Sequence, residues 1–191
     1  MKWIKSGGGP LICVESKLAS AWFGVLPAND PAASHSSGAT DYDRACSVRS
    51  YLGTVELPGG SALILGDMPL ETSTYRAASG SVLIARLFYI EPDADIPPML
   101  EDVDRSSFAD PEETLIFHVD SEPMAIFDSA FSGSDKMKKT LDLFISPGVY
   151  RILTKIFNPD DRNPSLFTNF IHRTNGLVIT LTIHLPRGGS A

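Results

Sequence analysis

A mainly β (α+β) fold is what this sequence predicts: two similar antiparallel β-modules with one short helix near residues 41–52. Three observations carry that expectation. Fifteen Gly and fourteen Pro in 191 residues are a heavy load for helices but suit short strands joined by turns. Apolar residues alternate with polar ones at period two along several segments, above all near the C-terminus. With 43% hydrophobic and 20% charged residues, the chain has enough apolar surface to bury a core.

Taken in order, residues 3–5, 11–15 and 19–23 are strand candidates. Residues 27–39 (PANDPAASHSSGA) are small, polar and interrupted by Pro, the composition of a surface loop. Thr40 then offers an N-cap, with Asp43 placed to close a capping box. Tyr42, Ala45, Cys46 and Leu52 fall near one helical stripe, and Gly53 is positioned to stop the helix. Thr54 to Leu57 and Ser61 to Leu65 flank Pro58-Gly59-Gly60, a hairpin signature. Residues 81–90 (SVLIARLFYI) are apolar on both alternating faces except at Arg86, which predicts a strand covered on both sides.

The second half repeats the strand pattern. Leu115, Phe117 and Val119 alternate with Thr114, Ile116 and His118. Leu141, Leu143 and Ile145 alternate with Asp142, Phe144 and Ser146, and Tyr150, Ile152 and Thr154 with Arg151, Leu153 and Lys155. In the last strand Leu177, Ile179, Leu181, Ile183 and Leu185 are expected inward, and Val178, Thr180, Thr182 and His184 outward. An internal echo links the halves: Ala62 to Leu65 followed by Asp67-Met68-Pro69 parallels Thr114 to Phe117 followed by Ser121-Glu122-Pro123. The expected organisation is a β-module with the short helix over 1–90, an acidic linker or loop over 91–112, and an antiparallel β-module over 113–191, or one continuous domain.

The net charge of −7 argues against a general nucleic-acid binder, because phosphate contacts need clustered Lys and Arg. Residues 91–113 hold nine acids against one base, Arg105, so almost all of the acidity is local. Cys13 and Cys46 are too few for a disulfide scaffold and are expected as buried free thiols of a reducing compartment. No signal-peptide pattern and no apolar run long enough to span a membrane is visible, which predicts a cytoplasmic protein without a membrane partner.

Residues with catalytic chemistry are scattered. The run Ser6-Gly7-Gly8-Gly9-Pro10 lacks the Lys-Ser/Thr that completes a phosphate loop, and no helix pattern follows it, so a turn is expected. His118, Asp120 and Glu122 alternate, would share one face of an extended strand, and with Asp67 are the candidate ligands of a metal-assisted hydrolase or small-ligand enzyme. Asp41 and Asp43 suit the first turn of a helix, and Asp160-Asp161 lies among turn formers. There is no GxSxG elbow, and neither Cys sits beside a His or a basic cluster that would activate it. No cofactor is expected.

Four segments carry a family resemblance. Trp3-Ile4-x-Ser6-Gly7-Gly8-Gly9-Pro10-Leu11-Ile12, Trp22-x-Gly24, Asp41-Tyr42-Asp43-Arg44-Ala45-Cys46 and Leu65-Gly66-Asp67-x-Pro69-x-x-Thr72 resemble, in order, the bacterial immunity protein 21 family. Met68 stands where that pattern has an acid, and the C-terminal half carries no matching motif. The resemblance implies a mostly β, non-catalytic cytoplasmic inhibitor whose partner is the cognate toxin of a polymorphic toxin system. The acidic segment suits a basic partner surface, and Glu101, Asp102, Asp104 and Asp110 are the candidate contacts. No nucleic acid is expected, and the chain is expected as a monomer or weak homodimer. A self-pairing β-module and the His118/Asp120/Glu122 enzyme are the alternatives.

Overall fold

The computed structural model describes residues 1–26, 39–66, 71–78, 80–88, 96–101, 113–157 and 176–185. The strands are β1 (Leu11–Glu15), β2 (Leu52–Leu57), β3 (Gly60–Leu65), β4 (Glu71–Arg76), β5 (Val82–Phe88), β6 (Glu113–Val119), β7 (Met124–Asp128), β8 (Leu141–Leu143), β9 (Gly148–Phe157) and β10 (Gly176–Leu185). Two short helices accompany them, α1 (Asp41–Cys46) and α2 (Ile96–Glu101). The mainly β expectation holds. One five-stranded sheet has the order β2-β3-β1-β7-β8 and the other β4-β5-β10-β9-β6, with antiparallel pairing throughout. Each sheet takes strands from both sides of residues 91–112.

The sheets pack face to face over one apolar cluster. The first contributes Leu11, Cys13, Leu63 and Ile126, the second Ile84, Phe117, Tyr150 and Ile152. A second cluster lies on the other face of the first sheet, where Ile12, Val14, Ile64 and Phe127 are covered by Trp22 and by Ala45 of α1. β1 is therefore buried along its whole length. Burying each such large apolar side chain stabilises the fold by about 1.5–3 kcal/mol.

The hairpin between β2 and β3 turns through Pro58-Gly59, with Gly59 at φ 88°, the left-handed value that the third position of a type II turn requires. β5 lies between β4 and β10 and is buried from Leu83 to Arg86. Both faces are covered, as its composition predicts.

Several expectations are corrected. Residues 19–23 form a short 3-10 turn (Ala19–Ala21) rather than a strand. Of residues 3–5 only Ile4 pairs, in an isolated bridge to Thr72. The helix stops at Cys46, and Leu52 opens β2 opposite Leu65. Gly53 is a strand residue and not a helix stop. A Cβ there would lie 2.6 Å from Val48 Cγ1, so glycine makes room for that side chain. Within the acidic stretch, α2 buries Ile96 and Leu100, so that part is packed structure rather than linker.

The inward and outward facing expected for the side chains of β10 lies outside the described residues. By backbone register Thr180 lies opposite Ile84 and Thr154, and Thr182 opposite Val82 and Ile152.

Candidate partner-binding surface

The four segments that carry the resemblance meet around the first sheet. Ile4 and Thr72 exchange both backbone hydrogen bonds, at 2.9 and 2.7 Å, joining the first motif to the last. Gly9 lies against the Tyr42 ring, where a Cβ would be 2.6 Å from Cε2. Asp41 accepts the Phe23 amide at 2.8 Å through Oδ2 and pairs with Arg44 Nη1 at 3.0 Å through Oδ1. Arg44 continues to the Glu56 carbonyl, and the Tyr42 amide donates to Gly24 O at 3.1 Å. The Thr40–Asp43 capping box forms as the sequence predicts, and its hydrogen bonds hold the exposed Asp43 carboxyl below the ordinary range.

The glycine run is a structural anchor. Gly7 N donates to Asp128 Oδ2 at 2.7 Å, so the anion at this loop is the protein's own carboxylate, whose Oδ1 accepts Ala130 N at 2.9 Å. Trp22 is fully buried, with Nε1 donating to Ser129 O at 2.8 Å. Gly24, at φ 65°, places its backbone so close to Ala130 that a Cβ would be 2.4 Å from that carbonyl oxygen. The motif residues thus hold segments together, and most of their polar groups are engaged within the chain.

That junction supports a surface the sequence reading did not single out. Segment 23–26 and the β7–β8 connection, residues 129–140, are joined by Val25 N to Ala130 O at 3.1 Å and Gly133 N to Trp22 O at 2.8 Å. Val25, Leu26 and Phe131 are exposed there, and Met137 is 86% exposed. Met137 N donates to Asp135 Oδ1 at 2.7 Å, while Lys138 Nζ donates to Gly133 O and Asp135 O and sits 5.3 Å from the Phe127 ring centre. Lys136 and Lys139 are exposed on either side. The signal in the sequence was Lys136-Met137-Lys138-Lys139, three lysines in four residues of an acidic chain.

Of the acidic candidates, Glu101 is the last residue of α2, and Asp102, Asp104 and Asp110 lie outside the described residues. Glu113, the last acid of the stretch, is committed to the fold. Its carboxylate accepts Tyr51 N at 3.0 Å and Leu52 N at 2.7 Å.

His118, Asp120 and Glu122 are all exposed, the first at the end of β6 and the others in the turn that follows. The expected common strand face ends with β6 at Val119. Asp120 N and Ser121 Oγ instead donate to the buried Glu15 carboxylate, at 2.7 and 2.6 Å, and Lys17 pairs with it at 2.9 Å. Burial alone pushes the Glu15 carboxyl up, but Ser121, Asp120 and Lys17 together outweigh that and hold it below the usual range. Glu122 acts on Tyr150, whose phenol is pushed up by burial and then by the Glu122 charge. Among the described residues no three His, Cys, Asp or Glu come together as a metal site, and Asp67 lies outside them.

Neither cysteine forms a disulfide. Cys13 is buried as expected, whereas Cys46 is exposed at the end of α1. Burial pushes the Cys13 thiol up to about 12, leaving essentially no thiolate for nucleophilic attack near neutral pH. A pocket of about 140 Å³ opens between β4 and β8, lined by Tyr75, Arg76, Asp142 and the 58% exposed Phe144. Arg76 is committed to the carbonyls of Phe144 and Gly80. Among the described residues no helix is long and apolar enough to cross a membrane.

A family model described as immunity protein 21 matches residues 2–163, well beyond the motif-bearing stretch. No curated protein and no solved structure matches the chain.

Proposed function

From the premise that this chain belongs to the immunity protein 21 family, we propose that it binds a cognate bacterial toxin domain and neutralises it without catalysis, in the cytoplasm and without a cofactor. The family match over residues 2–163 carries this reading. The burial of Cys13 and the commitment of Arg76, Asp128 and Glu113 to backbone groups are consistent with it, since these reactive side chains serve the fold.

On this reading the acidic stretch supplies contacts through Glu101, Asp102, Asp104 and Asp110. Support comes from its two ends, where Ile96 and Leu100 are buried and Glu113 is bonded to the first sheet. Acids facing a basic partner raise the rate of encounter more than they deepen the final complex. The chain acts as a monomer or weak homodimer.

Co-expression with the toxin domain encoded by the adjacent gene tests the proposal. Growth is rescued by the wild-type chain, and the two proteins co-purify. Replacing Asp102, Asp104 and Asp110 together by Asn slows association roughly tenfold at low salt, with a smaller effect at high salt. The absence of both rescue and co-purification with the wild-type chain refutes it.

A further inference from the structure

The motif segments are largely absorbed in holding the first sheet together, through Ile4–Thr72, Gly9–Tyr42, Phe23–Asp41 and Tyr42–Gly24. Discrimination among toxins therefore falls to residues outside them. We propose that the surface formed by residues 23–26 and 129–140 is an anchor of the immunity complex, in which Met137 and Phe131 enter an apolar recess of the toxin domain bordered by carboxylates. This rests on the toxin-binding reading and names the partner chemistry for a surface that reading does not use.

Three observations carry it. Val25, Leu26 and Phe131 come from segments over a hundred residues apart in the chain yet adjoin through the Val25–Ala130 hydrogen bond. They form a patch rather than scattered exposed residues, and such patches mark interaction sites. The connection is also held before any partner arrives: Gly133 N to Trp22 O, Ser134 N to Ser132 Oγ, Met137 N to Asp135 Oδ1 and Lys138 Nζ to two carbonyls fix its course. A preorganised loop loses little entropy on binding, and Met at its tip adapts to an irregular recess.

The third observation is charge. Lys136 and Lys139 are exposed beside Met137, and Asp135, the one acid of the loop, is turned back on the Met137 amide. This patch is basic on a chain of net charge −7, which selects a partner face with an acidic rim. Together with the acidic stretch it gives the chain two regions of opposite sign, an arrangement that fixes the orientation of a partner and rejects one docked the wrong way round.

Isothermal titration of the full chain with the toxin domain encoded by the adjacent gene is the test. Three proteins are compared with wild type: Met137→Asp, the double variant Lys136→Glu/Lys139→Glu, and Ile116→Asp as an exposed control on β6. Unfolding midpoints establish that all are folded. Met137→Asp weakens binding by roughly tenfold or more, the charge reversal weakens it at low salt and less so at high salt, and Ile116→Asp binds as wild type. Toxin binding that is equally tight in Met137→Asp and in the charge reversal overturns this inference and leaves the toxin-binding reading standing. Absence of wild-type binding overturns both. Intact toxin binding, combined with loop variants that abolish self-association or duplex DNA binding, assigns the surface to another occupant and overturns it too.

Discussion

Glu113 and Leu52 are joined by a 2.7 Å hydrogen bond from the Leu52 amide to the Glu113 carboxylate, whose other oxygen takes the Tyr51 amide. One side chain at the head of β6 thereby ties the second sheet to the first strand of the hairpin in the other sheet. At the opposite corner Arg76 of β4 does the reverse, donating to the carbonyl of Phe144 just beyond β8. The corners of the stacked sheets are thus clasped by side chains of opposite charge, each answering a backbone group of opposite polarity.

Removing the Glu113 clasp has a predictable effect. Glu113→Ala leaves two part-buried amides without their acceptor and lowers stability by about 1–3 kcal/mol. Glu113→Gln keeps one acceptor oxygen in place and loses less. Urea denaturation of both variants checks the order, and equal losses contradict the two-amide arrangement.

At Gly24 a single added methyl group meets both a left-handed backbone and a neighbouring main chain. This position combines φ 65° with the Ala130 and Phe131 backbone where a Cβ would stand, so Gly24→Ala costs about 2–4 kcal/mol from left-handed strain plus overpacking. Gly8→Ala is the comparison: its φ is 145° but nothing lies within 4 Å of the added carbon, so it loses only the backbone contribution. In Gly24→Ala the Phe131 amide, which donates to Asp128 O, also exchanges faster with deuterium. Similar stabilities for the two variants would show that the close approach at Gly24 carries no weight.

How far the sequence disclosed this architecture depended on whether a strand has one wet face. β6 was readable because Phe117 and Val119 are buried while Ile116 and His118 are exposed. β7 was missed because all five residues of Met124–Asp128 are buried, which erases the alternation. β4 was missed for the opposite reason: Glu71–Arg76 is polar and lies at a sheet edge, so its text resembles a loop. The Thr40–Asp43 cap was legible because it is local. The junction of Trp22, Gly24 and Ala130 was not, since the partners are about a hundred residues apart, and neither was the surface at Met137 that it supports.

Glu15 gives a pH signature. Its carboxyl lies below the ordinary glutamate value of 4.5 in the folded chain. A depressed folded value contributes stability that is fully present above the unfolded pKa and disappears as pH falls through the folded one. Stability of the wild-type chain therefore declines below about pH 4.5 more steeply than that of Glu15→Gln, which lacks this titration. Ser121→Ala, by removing the donor to Oε2, moves the Glu15 titration upward, and carboxyl-carbon NMR reads the shift directly. Parallel stability profiles for wild type and Glu15→Gln would rule out the hydrogen-bonded carboxylate as the source.

The two thiols are predicted to part company under a disulfide reagent at pH 8. Cys46, exposed at the end of α1, is labelled promptly in the folded protein, whereas Cys13, buried within β1 with its thiol pushed up to about 12, is labelled only as fast as the chain opens. Adding urea brings the second equivalent in step with unfolding, because β1 is the central strand of its sheet, paired to β3 on one side and β7 on the other. Cys13→Ser places a hydroxyl among Leu11, Leu63 and Ile126 and costs about 1–3 kcal/mol unless it finds an acceptor. Cys46→Ser, on the surface, leaves the midpoint nearly unchanged. Prompt labelling of both cysteines in the native chain is incompatible with a buried β1, and with it the stacking of the two sheets.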